Sequence, residues 1–175
     1  MKKITKLICL SIVAVSLLTG CDTSTEKEEK TPEIENNVEY FKGYSTSGNP
    51  KEIVRSSQKL QEFLNSNYAN YNNFDKITSK YNDDFFADNA LVAVTLSTGT
   101  PGYELTVTSF ETENEKAEVA VELKKYVSPN TLSVMVVEYW LVLIETSQDS
   151  VKNCTEIDVT ENKLYIEIDD TDCSK

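Results

Sequence analysis

From Ala90 onward the chain runs in period two. Ala90 to Leu96, ALVAVTL, is apolar at nearly every position, as expected of a strand covered on both faces. In Tyr103 to Ser109, Tyr103, Leu105 and Val107 alternate with Glu104, Thr106 and Thr108, which marks one wet face. Lys116 to Lys124 repeats the alternation, with Ala117, Val119, Val121 and Leu123 on one side and Lys116, Glu118, Glu122 and Lys124 on the other. Val134 to Ile144 is the longest β-rich run and belongs at the centre of a sheet. Thr155 to Val159 and Leu164 to Ile168 predict a closing hairpin that turns at Glu161-Asn162.

Upstream the period is helical. Asn49 offers an N-cap, Pro50 a first helical position, and Ile53, Val54, Leu60, Phe63 and Leu64 recur at helical spacing. Phe74 to Tyr81 predicts a second, shorter helix, after which NDDFFADN enters the sheet with Phe85 and Phe86 beneath it. Between them, NSNYANYNNF reads as a loop whose Tyr68 and Tyr71 lie on the core; the other use of those rings is to stack a ligand. The predicted fold is α+β, an N-terminal amphipathic helix plus a mostly antiparallel sheet or sandwich of about six strands.

The first twenty residues have a different character. Lys2, Lys3 and Lys6 precede an apolar stretch from Leu7 to Leu18 and a small-residue end, the pattern of a secretory signal. Leu18-Thr19-Gly20-Cys21 resembles the lipobox of bacterial lipoproteins, and that resemblance implies a diacylglycerol-modified, palmitate-type anchor on Cys21 at the extracytoplasmic face of the cell membrane. At about 0.8 kcal/mol per buried methylene, two or three acyl chains hold a protein stably where one short chain does not. Residues 21–40 open with DTSTEKEEKTPEIENN, charged and nearly free of apolar side chains, and read as a flexible acidic tether. Residues 41–175 remain as a single globular domain.

The chain carries 29 acidic and 17 basic residues, a net charge of −12, and three of those lysines leave with the signal. A surface this acidic is repelled by phosphate backbones, which excludes nucleic acid as a partner and leaves the anchor as the membrane contact. Histidine is absent. That removes Ser-His and Cys-His pairs and imidazole metal ligands. The acids near Asp83, Asp84 and Asp88, and near Asp169, Asp170 and Asp172, lack the spacing of a calcium loop or a catalytic pair. No enzyme activity, cofactor or metal is therefore expected. With Cys9 in the signal and Cys21 acylated, Cys154 and Cys173 are the remaining pair, and in an oxidising exterior they read as a disulfide worth on the order of 3 kcal/mol. The predicted hairpin brings them together.

Gly99-Thr100-Pro101-Gly102-Tyr103 holds two of the chain's five glycines. Pro101 fixes one dihedral, Gly99 and Gly102 allow positive φ, and Tyr103 can pack its ring inward and bond its hydroxyl to the loop. Such a turn either simply joins two strands or serves as a rigid tip that contacts a partner.

The portion YNDDFFADNALVAVTLSTGTPGYELTVTSFETENEKAEVAVELKKY, Tyr81 to Tyr126, followed by SVMVVEYWLVLIE, resembles the C-terminal domain of the PrcB family, protease-complex subunits of bacterial surfaces. The likeness spans 81–145 and rests on the DDFF-like entry, the apolar strand, the Thr/Pro/Gly turn closing on Gly-Tyr, the alternating strand pair and the aromatic-apolar closing strand. It implies a lipoprotein that binds and stabilises a secreted protease or another exported protein. The turn alone is also similar to the loop of chagasin-type cysteine-protease inhibitors. A lipoprotein that binds a solute or an envelope polymer through the Tyr68 and Tyr71 surface is the alternative of a different class.

Overall fold

The computed structural model describes residues 37–43, 48–67, 73–113, 115–128 and 136–168. Cys21 with its signal and lipobox, most of the 21–40 tether, Tyr68, Tyr71, Cys173 and the acids Asp169, Asp170 and Asp172 lie outside them. In chain order the elements are β1 (Val38–Gly43), β2 (Lys51–Val54), α1 (Ser57–Asn67), α2 (Phe74–Lys80), α3 (Asp83–Phe86), β3 (Asn89–Thr98), β4 (Tyr103–Glu113), β5 (Lys116–Val127), β6 (Glu138–Ser147), α4 (Gln148–Val151) and β7 (Glu156–Glu167). None of the described helices is long and apolar enough to cross a membrane.

The strands form two sheets, a four-stranded one in the order β1-β6-β3-β2 and a three-stranded one in the order β4-β5-β7. Every pairing is antiparallel except β5 with β7. This is the α+β class read from the sequence, with seven strands among the described residues. β3 and β6 occupy the middle of the larger sheet, and each is buried over most of its length. Ala90, Val92, Val94, Leu96, Trp140, Val142 and Ile144 face the smaller sheet, meeting Tyr103, Leu105 and Val107 of β4 and Ala117, Val119, Val121 and Leu123 of β5. Leu91, Ala93, Leu141 and Leu143 point the other way, into a second core closed by Leu60, Phe63 and Leu64 of α1, Ile77 of α2, Tyr81 and Phe86. The layers are thus helices, sheet and sheet.

Three expectations change. The first helix begins at Ser57, because Lys51–Val54 pair with β3 and the carbonyl of Pro50 already accepts from Thr95 N at 3.0 Å. Ser56 caps the helix instead, its Oγ accepting from Lys59 N at 3.2 Å. β1 begins at Val38, inside the range read as tether, and pairs with β6 from Val38 to Gly43. The closing hairpin is one continuous strand: β7 runs through Glu161-Asn162 in register with β5, from Lys116 opposite Glu156 to Val127 opposite Glu167. Its start is fixed by Thr155 N donating to Glu115 O at 2.8 Å, in a β4–β5 turn where Glu115 takes φ 70°.

The hairpin expected to bring Cys154 and Cys173 together is absent, and Cys173 lies outside the described residues. Twelve residues of strand, at about 3.3 Å each, carry the chain roughly 40 Å away from the Cys154 end. Cys154 itself is a free thiol buried in the core between the sheets. Arg55 fastens this corner, donating to the carbonyls of Val151 at 2.7 Å and Cys154 at 2.9 Å.

On the helical side, a polar knot ties α2 to β1 and β6. Lys80 pairs with Glu39 and with Glu145, the latter at 2.8 Å. The buried Tyr81 hydroxyl donates to Glu145 at 3.0 Å, and Asn37 donates to it at 3.3 Å. Burial pushes the Glu145 carboxyl up, but the bonds from Lys80, Asn37 and Tyr81 outweigh it and hold the group below its ordinary 4.5. Burial lowers Lys80, and its two carboxylate partners more than reverse that, leaving it above 10.5.

A carboxyl depressed by folding stabilises the fold above its unfolded value and loses that contribution as pH falls through the folded one. Urea midpoints should therefore drop below about pH 4.5 in the wild type, and Glu145→Gln, about 1–2 kcal/mol weaker at neutral pH, should converge with it in acid. Lys80 acts in the opposite direction: its contribution is complete below 10.5 and is lost only at higher pH. Separately, Cys154 should resist a maleimide in the native protein and react on addition of denaturant alone; a requirement for reductant would show it bridged.

Candidate protein-contact site

The β3–β4 turn reaches Tyr103 through a single left-handed residue. Gly102 has φ 90°, whereas Gly99 needs no such conformation, and a Cβ would meet nothing within 4 Å at either. The strain thus falls on Gly102, behind the rigid Pro101. Lys125 of β5 reaches up and donates to Thr100 Oγ1 at 2.6 Å.

Below the turn, Tyr103, Lys125 and Tyr165 stand in one row across β4, β5 and β7. They prolong the inward face of the smaller sheet by one step beyond Leu123. The Tyr103 and Tyr165 hydroxyls are 2.8 Å apart, their rings meet edge to face with centroids 6.2 Å apart, and Lys125 Nζ lies 5.2 Å from the centre of the Tyr103 ring. Tyr103 is buried, so its ring does pack inward, but its hydroxyl bonds mainly to β7, with Thr100 of the turn as a further partner. The bond with Tyr165, then burial, raise the Tyr103 phenol above its usual value, and Thr100 opposes them.

Across the sandwich, Thr98 Oγ1 donates to the Glu138 carbonyl at 3.4 Å. Lys42 pairs with the Glu138 carboxylate at 3.2 Å and lies 4.4 Å from the centre of the Trp140 ring. Glu138 Oε2 and Trp140 Nε1 are buried without a hydrogen-bond partner among the described residues, a state that costs about 1–3 kcal/mol per group. Seven large hydrophobic residues are exposed among those described, and six cluster at this end: Tyr126, Val136, Val137, Tyr165, Ile166 and Ile168.

No family model, curated protein or solved structure matches the chain. The site therefore rests on its own geometry.

The five residues of the turn stay together at this end, while Cys154 lies at the far end of β7. Asp83 accepts from the Ser57 hydroxyl beside α1, and the Asp88 carbonyl accepts from Gln148 N at 3.0 Å, so both serve local structure. On the outer face of the smaller sheet, Ser109, Glu111, Glu118, Ala120, Asp158 and Thr160 line an acidic groove of about 290 Å³. Lys116 neutralises Asp158 and Glu156 beside it, at 3.0 and 3.2 Å. Among the described residues no group of three or more acidic or sulfur side chains is placed to hold a metal. Lys125, Tyr165, Glu138 and Trp140 were not singled out in the sequence. The available signal was parity: Lys125 is the next inward position after Leu123, where the apolar face runs out.

Gly102→Ala should cost about 1–2 kcal/mol through backbone strain alone, whereas Gly99→Ala should be near neutral. Tyr103→Phe should cost about 1 kcal/mol and raise amide exchange at the C-terminal end of β7. Chemical denaturation and hydrogen exchange measure both.

Proposed function

We propose that the chain is an extracytoplasmic lipoprotein, acylated at Cys21, that binds another exported protein through the end of the sandwich formed by Gly99–Tyr103, Tyr126, Val136 and Val137. The observation that carries this is the clustering of exposed apolar side chains around one rigid turn. A pre-shaped loop loses little entropy on binding, which is what an accessory subunit needs from its contact surface. The likeness of 81–145 to PrcB-type subunits points to a secreted or surface protease as the partner and to stabilisation as the effect. The acidic exterior discourages non-specific adhesion to anionic lipid.

A photo-cross-linking amino acid placed at Thr100 or Tyr126 in cells should give a discrete adduct with one exported protein. The same probe at Thr160, in the acidic groove, should give none. Absence of adducts from both tip positions, or equal adducts from all three, contradicts the proposal. Cys21→Ser should release the protein from the membrane fraction.

A further inference from the structure

The smaller sheet has two edges, and they are treated differently. Along β4 the ladder is broken by a bulge between Val107 and Ser109, and Tyr40 of β1 accepts the Val107 N–H at 3.0 Å. Both devices discourage another strand from pairing there. The first residues of β7 lie against β2, with Lys51 Nζ 3.5 Å from the Ile157 carbonyl. From Thr160 onward no comparable cover exists among the described residues, and Tyr165, Ile166 and Ile168 are exposed, Tyr165 at 62%. A long exposed edge carrying apolar side chains is a template for strand addition.

The side-chain pattern of this edge selects the occupant. We propose that two copies of the chain pair the C-terminal halves of β7 antiparallel about a twofold axis at Tyr165, joining two three-stranded sheets into one of six. In this register Leu164 faces Ile166 of the second copy, Lys163 faces Glu167 of the second copy, and Tyr165 faces its own equivalent. By symmetry each heterotypic pair occurs twice. Like-sign charges meet in the adjacent registers: an axis at Leu164 sets Glu161 against Glu167, and an axis at Lys163 sets that lysine against itself. An axis at Ile166 runs past the end of β7 and sets Tyr165 against Glu167. The net charge of −12 repels a second copy at long range, but at physiological salt that repulsion is screened beyond about 8 Å, so the contacts at the edge decide. Anchoring both copies in one membrane raises their effective concentration.

The test uses the full lipidated chain in its own membrane, in a Cys173→Ser background. Residues directly opposite in an antiparallel pair lie within disulfide range, so Tyr165→Cys should give a covalent dimer on a non-reducing gel, and Thr160→Cys should not. Adding Lys163→Glu to Tyr165→Cys should cut the dimer about tenfold, through loss of two ion pairs and new repulsion. Adding Glu167→Lys as well should restore it. Burial of Cys154 against a maleimide reports that each variant is folded. The proposal fails if folded Tyr165→Cys protein stays monomeric, if it bridges to a different protein instead, if Thr160→Cys dimerises equally, or if Lys163→Glu has no effect.

Discussion

Side chains of β3 and β6 enter two cores at once. Ala90, Val92, Val94, Leu96, Trp140, Val142 and Ile144 fill the space between the sheets, and Leu91, Ala93, Leu141 and Leu143 fill the space under the helices. Burying each large aliphatic side chain contributes about 1.5–3 kcal/mol, and here the contributions come from both faces of the same backbone. Among the described residues, neither the helical layer nor the smaller sheet has another apolar surface of that size to pack on. The two layers are therefore coupled through these strands, and polar ties such as Arg55 with the α4 corner and Lys80 with Glu145 fix their position.

The same arrangement explains why apolar side chains are exposed at one end of the sandwich. β5 and β7 run on past Leu123, so Lys125, Tyr126, Tyr165 and Ile166 emerge where the cover of the larger sheet ends. The turn at Gly99–Gly102 closes over that opening. What remains is a rim of tyrosines, one lysine and exposed aliphatic groups, joined by backbone and side-chain hydrogen bonds.

Much of this order was legible in the residues. Two-sided burial gives an unbroken apolar run, which marked β3; one-sided burial gives strict alternation, which marked β4 and β5 as far as the bulge. The Phe74–Tyr81 helix was equally visible. β2 was not, because Asn49-Pro50 also makes a good helix start and four residues are too few to show a period. β7 was misread as a hairpin because Glu161 and Asn162 interrupt its apolar pattern. An edge strand exposed on both faces puts no apolar demand on those positions, and its pairing with β5 is set by the Thr155–Glu115 contact, which is remote in sequence. The turn of the candidate site was visible through Pro101 and Gly102, but its partners were not: Lys125 and Tyr165 join Tyr103 only through cross-strand register.

The central claim is that a doubly buried strand pair carries the fold, and that within one copy the last strand is held on one side only. Residue-resolved native-state hydrogen exchange tests it most directly. In the Lys163→Glu variant, where the proposed pairing of two copies is broken, the account predicts that interior amides of β3 and β6 exchange only through global unfolding, with free energies matching that from denaturation, while residues 162–168 open locally at much lower cost. Equal protection along β7 and β3, or slowest exchange in β7, would contradict it.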